Sequence, residues 1–176
     1  METARLIIRP FTPADAADLY AYLSREEVVR YEPYAPFNRE QAEEEALRRA
    51  ADPSFHAVVL KETGRVIGNV WFAPGEWEAW ELGYVFHDDC WGRGYATEAC
   101  HAVLSEGFAR GVRRVIAMCN PENAASWRLL ERLGFIREGC LRRNVFFRRD
   151  AQGAPVWQDT FEYGMLPGEL RNPSVL

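Results

Sequence analysis

The sequence predicts a single α+β domain built on a mixed sheet of about seven strands with about four helices. Three observations carry this. The 176 residues suit one compact core, since domains typically run to roughly 100–200 residues. Hydrophobic residues make up 48% and charged residues 27% of the chain, an ordinary globular balance that excludes disorder as the main state. Strand and helix patterns follow one another without repeat or linker, and a strand–helix–strand crossover in the middle demands parallel pairing within a largely antiparallel sheet.

Arg5-Leu6-Ile7-Ile8-Arg9 predicts a strand that stops at Pro10, and Thr12-Pro13-Ala14-Asp15 a helix start with proline at its first position. That helix runs to about Ser24. Tyr31-Glu32-Pro33-Tyr34-Ala35-Pro36-Phe37 sets two prolines among aromatics, so it propagates no helix, has no strand period and reads as a loop. A second helix over 39–50 places Glu44 with Arg48 and Glu45 with Arg49 at i,i+4, the pattern of a solvated face. Beyond Pro53 the period changes to strands at 54–61, 66–73 and 79–86, divided by Thr63-Gly64 and Pro74-Gly75, as in an antiparallel meander. A third helix carries Ala96, Ala99, Cys100, Val103, Gly107 and Phe108 on one side and stops at Gly111. The wholly apolar run 115–119 predicts a central strand covered on both faces. Asn120-Pro121 opens a fourth helix with Leu130 and Leu133 inward and Gly134 closing it, and two strands joined near 150–153 complete the fold. The domain is expected to span 1–170, with 171–176 a loose tail.

Composition narrows the function. Lys and Arg total 21 against 26 Asp and Glu, a net charge of -5, the wrong sign for nonspecific binding to nucleic acid. The longest stretch without charge, 66–75, is far short of the roughly 20 apolar residues of a membrane helix. The opening Met1-Glu2-Thr3-Ala4-Arg5 has no secretory pattern, so the cytoplasm is the expected location. Cys90, Cys100, Cys119 and Cys140 form no paired motif, and His56, His87 and His101 no ligand spacing; reduced thiols and no metal are expected.

The informative segment is the strand Trp80-Glu81-Leu82-Gly83-Tyr84-Val85-Phe86 followed, after four residues, by Trp91-Gly92-Arg93-Gly94-Tyr95-Ala96-Thr97-Glu98. A glycine-rich turn feeding a helix lets a ligand approach the backbone, while the first helical turn offers unpaired N–H groups and the positive end of the dipole. This is a cradle for phosphates. It lacks the lysine of a Walker loop and the third glycine of a dinucleotide fingerprint, where Thr97 stands. A turn that merely starts a helix is the plainer alternative.

The segment resembles the acetyl-CoA motif of the GNAT acyltransferase superfamily: Gln or Arg, two residues, Gly, one residue, then Gly or Ala. Trp91, Gly94 and Ala96 occupy those positions. Trp91 departs from the Gln or Arg, yet the stretch is similar to the variant of the RimJ/RimL-like branch. Asn120-Pro121-Glu122-Asn123-Ala124-Ala125-Ser126 resembles the branch's N-x-x-N-x-x-S, and Leu133-Gly134-Phe135 with Glu138-Gly139 its L-G-F and E-G. The resemblance reaches from Leu6 to Leu166. It implies the GNAT acyl-CoA N-acyltransferase fold and an acetyl-CoA-dependent N-acetyltransferase acting on a primary amine. The acceptor implied is a protein N-terminus such as a ribosomal protein's. A small-molecule amine (a polyamine or an aminoglycoside) and a noncatalytic acyl-CoA-binding module are the alternatives, and a homodimer is left open.

From the same resemblance, backbone groups of Tyr84, Val85 and Phe86 would contact the pantetheine arm in a slot beside the 115–119 strand. Trp91, Gly92, Arg93, Gly94, Tyr95, Ala96 and Thr97 would hold the pyrophosphate, with Asn123 on the other side or acting only as a helix cap. An amine with a pKa of about 8 to 10 must lose a proton and the departing thiolate gains from a donor. Strand alternation puts Glu81 on the face of Gly83 and Val85, making it the candidate base unless a bulge turns it away. Ser126 is the candidate donor, because Leu130 and Met118 stand where the superfamily often has a tyrosine and an acid. Tyr31, Tyr34 and Trp80 are candidates for the acceptor wall, with core packing the alternative.

Overall fold

The computed structural model describes residues 1–172. Seven strands form one sheet: β1 (Leu6–Pro10), β2 (Phe55–Leu60), β3 (Val66–Pro74), β4 (Trp80–Phe86), β5 (Val115–Cys119), β6 (Ile136–Val145) and β7 (Gln158–Met165). Their order is β1-β2-β3-β4-β5-β7-β6. Every neighbouring pair is antiparallel except β4 and β5, which run parallel. The α+β class and the mixed seven-stranded sheet are therefore as the sequence predicts.

The helices are α1 (Ala16–Leu23), α2 (Glu26–Val29), α3 (Arg39–Ala51), α4 (Tyr95–Ala109) and α5 (Ala124–Leu133). Four are the expected ones, and α2 is a single extra turn. Local chemistry sets their starts. Asp15 accepts from the Thr12 amide at 2.7 Å and pairs with Arg9 at 2.7 Å ahead of α1. Asn38 and Gln41 exchange reciprocal bonds at the start of α3. Gly134 ends α5 at φ +108°, where an added Cβ would lie 2.1 Å from the Glu169 carbonyl oxygen, so only glycine fits.

The sheet separates two apolar layers. Leu82 and Phe86 of β4 pack with Tyr95, Ala99, Val103 and Leu130 of α4 and α5. On the opposite face Val85 packs with Leu19, Val28, Val29 and Ala46 of α1, α2 and α3. The alternation of β4 thus divides between two cores.

Three expectations are corrected here. Arg49 is no part of a solvated face: it is 2% exposed, its Nε donates to Glu45 at 2.7 Å and its Nη1 to Asn69 Oδ1 at 2.8 Å. Arg48 pairs with Glu45, not Glu44. The apolar run of β5 is central, but Met118 is 54% exposed because the neighbouring strand leaves it. Of the expected loose tail, 173–176 lie outside the described residues, and the Arg171 amide donates to the Leu133 carbonyl at 2.9 Å. Among the described residues no helix is long and apolar enough to cross a membrane.

Candidate active site

The parallel pair at the centre of the sheet is short. Trp80 faces Val115 and Glu81 faces Ile116, and pairing then stops. From Leu82 onward β4 stays bonded to β3, with Tyr84 opposite Val70 and Val85 opposite Asn69, while its other edge turns away from β5. Backbone N–H and C=O groups along that edge need partners. The gap opens into a cleft of about 940 Å³ lined by Gly83 to Phe86 on one side and Ala117 to Asn120 on the other.

Where the cleft meets α4, Gly92 and Gly94 adopt φ +72° and +79°. A Cβ on Gly92 would meet nothing within 4 Å, and one on Gly94 only Arg5 Nη2 at 3.4 Å, so open space lies over the turn. No side chain caps α4, leaving its first N–H groups to a ligand or water. Trp91 fixes the approach, since its indole N–H donates to the Phe86 carbonyl at 2.8 Å. The cation that reaches this turn inside the cleft is Arg132 of α5, which donates to Thr97 Oγ1 at 3.3 Å. Arg93 is exposed and absent from the lining, and its carbonyl accepts from Arg5 at 2.9 Å. Arg5 also pairs with Glu98 at 2.6 Å and covers the Tyr95 ring at 4.4 Å. These residues fit a linked diphosphate: a backbone cradle, a dipole end and a guanidinium on one rim.

Across the cleft, Asn123 caps α5 by accepting from the Ser126 amide at 3.2 Å, and its side chain also lines the opening. Ser126 Oγ lies 2.9 Å from the Tyr84 hydroxyl, which donates to the Ser126 carbonyl at 3.1 Å. Burial pushes the Tyr84 phenol well above its ordinary range, so it holds its proton at neutral pH. Burial likewise pushes the nearby Cys119 thiol up to about 11, which makes it a poor nucleophile.

The structure gathers Tyr84, Val85, Phe86, Trp91, Gly92, Gly94, Tyr95, Ala96, Thr97, Asn123, Ser126 and Tyr31 along this one cleft. It does not bring Glu81 there. Glu81 belongs to the paired base of the strand, and its carboxylate lies over Gly75, where an added Cβ would be 2.9 Å from Oε1. Trp80 and Tyr34 do not line it, because their rings serve packing: Trp80 lies against Phe72 at 4.7 Å and Tyr34 against Phe37 at 5.2 Å, although the Tyr34 hydroxyl bonds to the lining residue Glu32. Three features escaped sequence reasoning. The Tyr84 hydroxyl and Arg132 act across 42 and 35 residues of chain, and no local signal marks them. Glu32 lines the cleft as well, and burial raises its pKa to about 7, moderated by a bond from Tyr34 and by the charge of Arg49. A single acid inside an aromatic and proline-rich loop was the available signal. His87, Asp88 and Asp89 bring ligand atoms within 4.8 Å of one another, with Arg25 held 2.7 Å from Asp88.

The family model described as acetyltransferase (GNAT) domain matches residues 5–136. A protein of Bacillus subtilis (strain 168) named as the uncharacterized N-acetyltransferase YnaD is 33% identical over 171 residues, covering 95% of this chain and 96% of the relative. The crystal structure of a GNAT family acetyltransferase from Bacillus anthracis superposes with a TM-score of 0.88 at 29% identity, covering 96% of this chain and 99% of the other. Two more distant structures share the fold. The ribosomal-protein-S5-alanine acetyltransferase of Vibrio fischeri has a TM-score of 0.78 at 20% identity, covering 98% of each chain. The spermidine N-acetyltransferase of Vibrio cholerae, in complex with CoA and spermine, has 0.77 at 18%, covering 95% of this chain and 98% of the other.

Proposed function

From the premise that this chain belongs to the acetyltransferase (GNAT) family and is an N-acetyltransferase, we propose that it moves the acetyl group of acetyl-CoA to the primary amine of a protein N-terminus, as the RimJ/RimL-like branch does. The observation that carries the reading is the divergence of β4 from β5 after Glu81, directly above the amide-lined turn at Gly92 and Gly94. The edge of β4 that β5 leaves open, at Leu82 and Tyr84, suits the amides of a pantetheine arm. Gly92 to Thr97 and Arg132 suit the diphosphate, and Asn123 borders the arm from α5.

Acetyl-CoA is the acyl donor, its thioester supplying an activated carbonyl. The chain's share of the work is alignment of amine and thioester, which is worth several kcal/mol, and protonation of the leaving sulfur by Ser126. Tyr84, bonded to Ser126 at 2.9 Å, orients that hydroxyl and restores its proton. The protonated Cys119 argues for direct attack by the amine, without an acyl-cysteine. Glu81, outside the cleft, has no part in this step.

Support for the branch comes from Trp91, whose indole ties the turn to Phe86, and from Asn123 and Ser126 facing one opening. A small-molecule amine is the second reading; Glu27, Glu32 and Glu122 around the cleft are matched by Arg30, Arg128 and Arg132, so charge does not choose between a peptide and a small amine. The two distant neighbours act on one acceptor of each kind, so fold likeness does not choose. Thiol release measured with N-terminal peptides, polyamines and aminoglycosides does. Turnover of alanine-leading peptides is expected, and turnover of small amines alone would reject the protein acceptor. Four unpaired cysteines accord with action in the reducing cytoplasm.

A further inference from the structure

We propose that Glu32 is the general base that takes the proton from the acceptor amine. The inference rests on the transferase reading above and adds the group that reading leaves unnamed. Its carboxylate belongs to the loop after α2, which is laid over β4 by the packing of Val28 and Val29 in the same layer as Val85 and held down by Arg25 on Asp88 at 2.7 Å. This loop roofs the cleft on the face of Gly83 and Val85, opposite the α5 face that carries Ser126. Among the described residues three carboxylates line the cleft, and Glu27 and Glu122 are exposed to solvent while Glu32 is half-buried. The position of the expected acid on β5 is Met118, and Glu81 is spent at the base of the strand.

Acid and base therefore stand on opposite faces of the sheet, with the gap between β4 and β5 joining them. The amine nitrogen uses its lone pair to form the C–N bond to the acetyl carbon. The electron pair of the breaking C–S bond goes to sulfur. The proton lost by nitrogen passes to Glu32, and sulfur receives one from Ser126, refilled through Tyr84 and cleft water. A base working at neutral pH needs a pKa near 7, and burial gives Glu32 that value. The groups that face it are the Tyr34 hydroxyl of its own loop and, from α3, Arg49, with Tyr22 of α1 and Glu45 bonded to Arg49 behind.

The test is the pH dependence of kcat/KM for the wild type, Glu32→Gln and Glu32→Asp, using an alanine-leading tetrapeptide and a primary alkylamine of pKa about 10. The wild type should show a rise centred near 7 that stays in place when the amine is changed. Glu32→Gln should lose that rise and about 100- to 10,000-fold in kcat, with acetyl-CoA affinity within twofold; Glu32→Asp should recover part of both. Separately, ¹³C NMR of glutamate carboxyls in the unliganded wild type should show one titrating near 7. A Glu32→Gln enzyme within threefold of wild-type kcat and keeping the rise would overturn the proposal. If that variant does not fold, an NMR midpoint for Glu32 near the ordinary 4.3 would do so. Failure of the wild type to turn over any amine would instead sink the transferase reading.

Discussion

Replacing Arg49 by Met removes a guanidinium that is 2% exposed and leaves a side chain of similar length. Three bonds go: to Glu45 at 2.7 Å, to Asn69 at 2.8 Å and to Tyr22 at 3.3 Å. The partners are not orphaned. Glu45 keeps Arg48 at 2.6 Å, and Tyr22 keeps its bond to Asn69 Oδ1 at 3.0 Å. The loss is thus smaller than the roughly 3–5 kcal/mol of a broken buried ion pair. Two good charge-assisted bonds at about 1.5–3 kcal/mol each, less the desolvation that the cation no longer suffers, leave about 2–3 kcal/mol. For a chain of this size that lowers Tm by about 4–12 °C, measurable by circular dichroism. The same change removes a positive charge that favours ionised Glu32, so the Glu32 midpoint should rise. A Tm within 2 °C of wild type together with an unmoved midpoint would refute the role given to Arg49.

Further expectations concern the cleft. Ser126→Ala and Tyr84→Phe should each lower kcat by about 10- to 100-fold with acetyl-CoA affinity retained by calorimetry, whereas Glu81→Gln should stay within about twofold in the same assay. Unchanged turnover in both hydroxyl variants would remove the donor pair from the mechanism. Stability should also depend on Glu32. Its folded pKa, about 7, lies above the ordinary 4.5, so the folded state binds this proton more tightly and loses stability as pH rises from about 4.5 through 7. Because the group is half-buried, the gain from Glu32→Gln should be about 1–2 kcal/mol at pH 8.5 after allowance for screening, and nil near pH 4. An equal effect at both pH values in chemical denaturation would contradict the assignment.

Much of the fold was legible because its signals are local. Prolines and Asn caps start the helices, Gly111 and Gly134 stop two of them, and alternation in β1 and β4 marks their faces. Gly92 and Gly94 disclosed the open turn ahead of α4 for the same reason, since positive φ and close approach depend on the residue itself. What was illegible depends on distant chain. Alternation placed Glu81 with Gly83 and Val85 correctly, yet it carries no information on where β4 leaves β5, and that point decides whether a side chain meets the cleft. Tyr84 was readable as backbone, not as a hydroxyl that meets Ser126 across the layer. Arg49 was misplaced although α3 held the clue: Ala42, Ala46 and Arg49 sit at i, i+4 and i+7, the spacing of a buried stripe. Arg132, at the end of α5, reaches Thr97 only because the two helices pack side by side.

The central claim is that the amide-lined turn at the foot of α4 grips the donor. Calorimetric titration of acetyl-CoA into the wild type and into Gly94→Trp tests it most directly. A saturable heat at one site per chain is expected for the wild type, with affinity weakened at least about 100-fold in the variant as charge-assisted bonds to the backbone are lost, while circular dichroism confirms that the variant is folded. No heat from the folded wild type, or equal affinity in both proteins, would contradict the account.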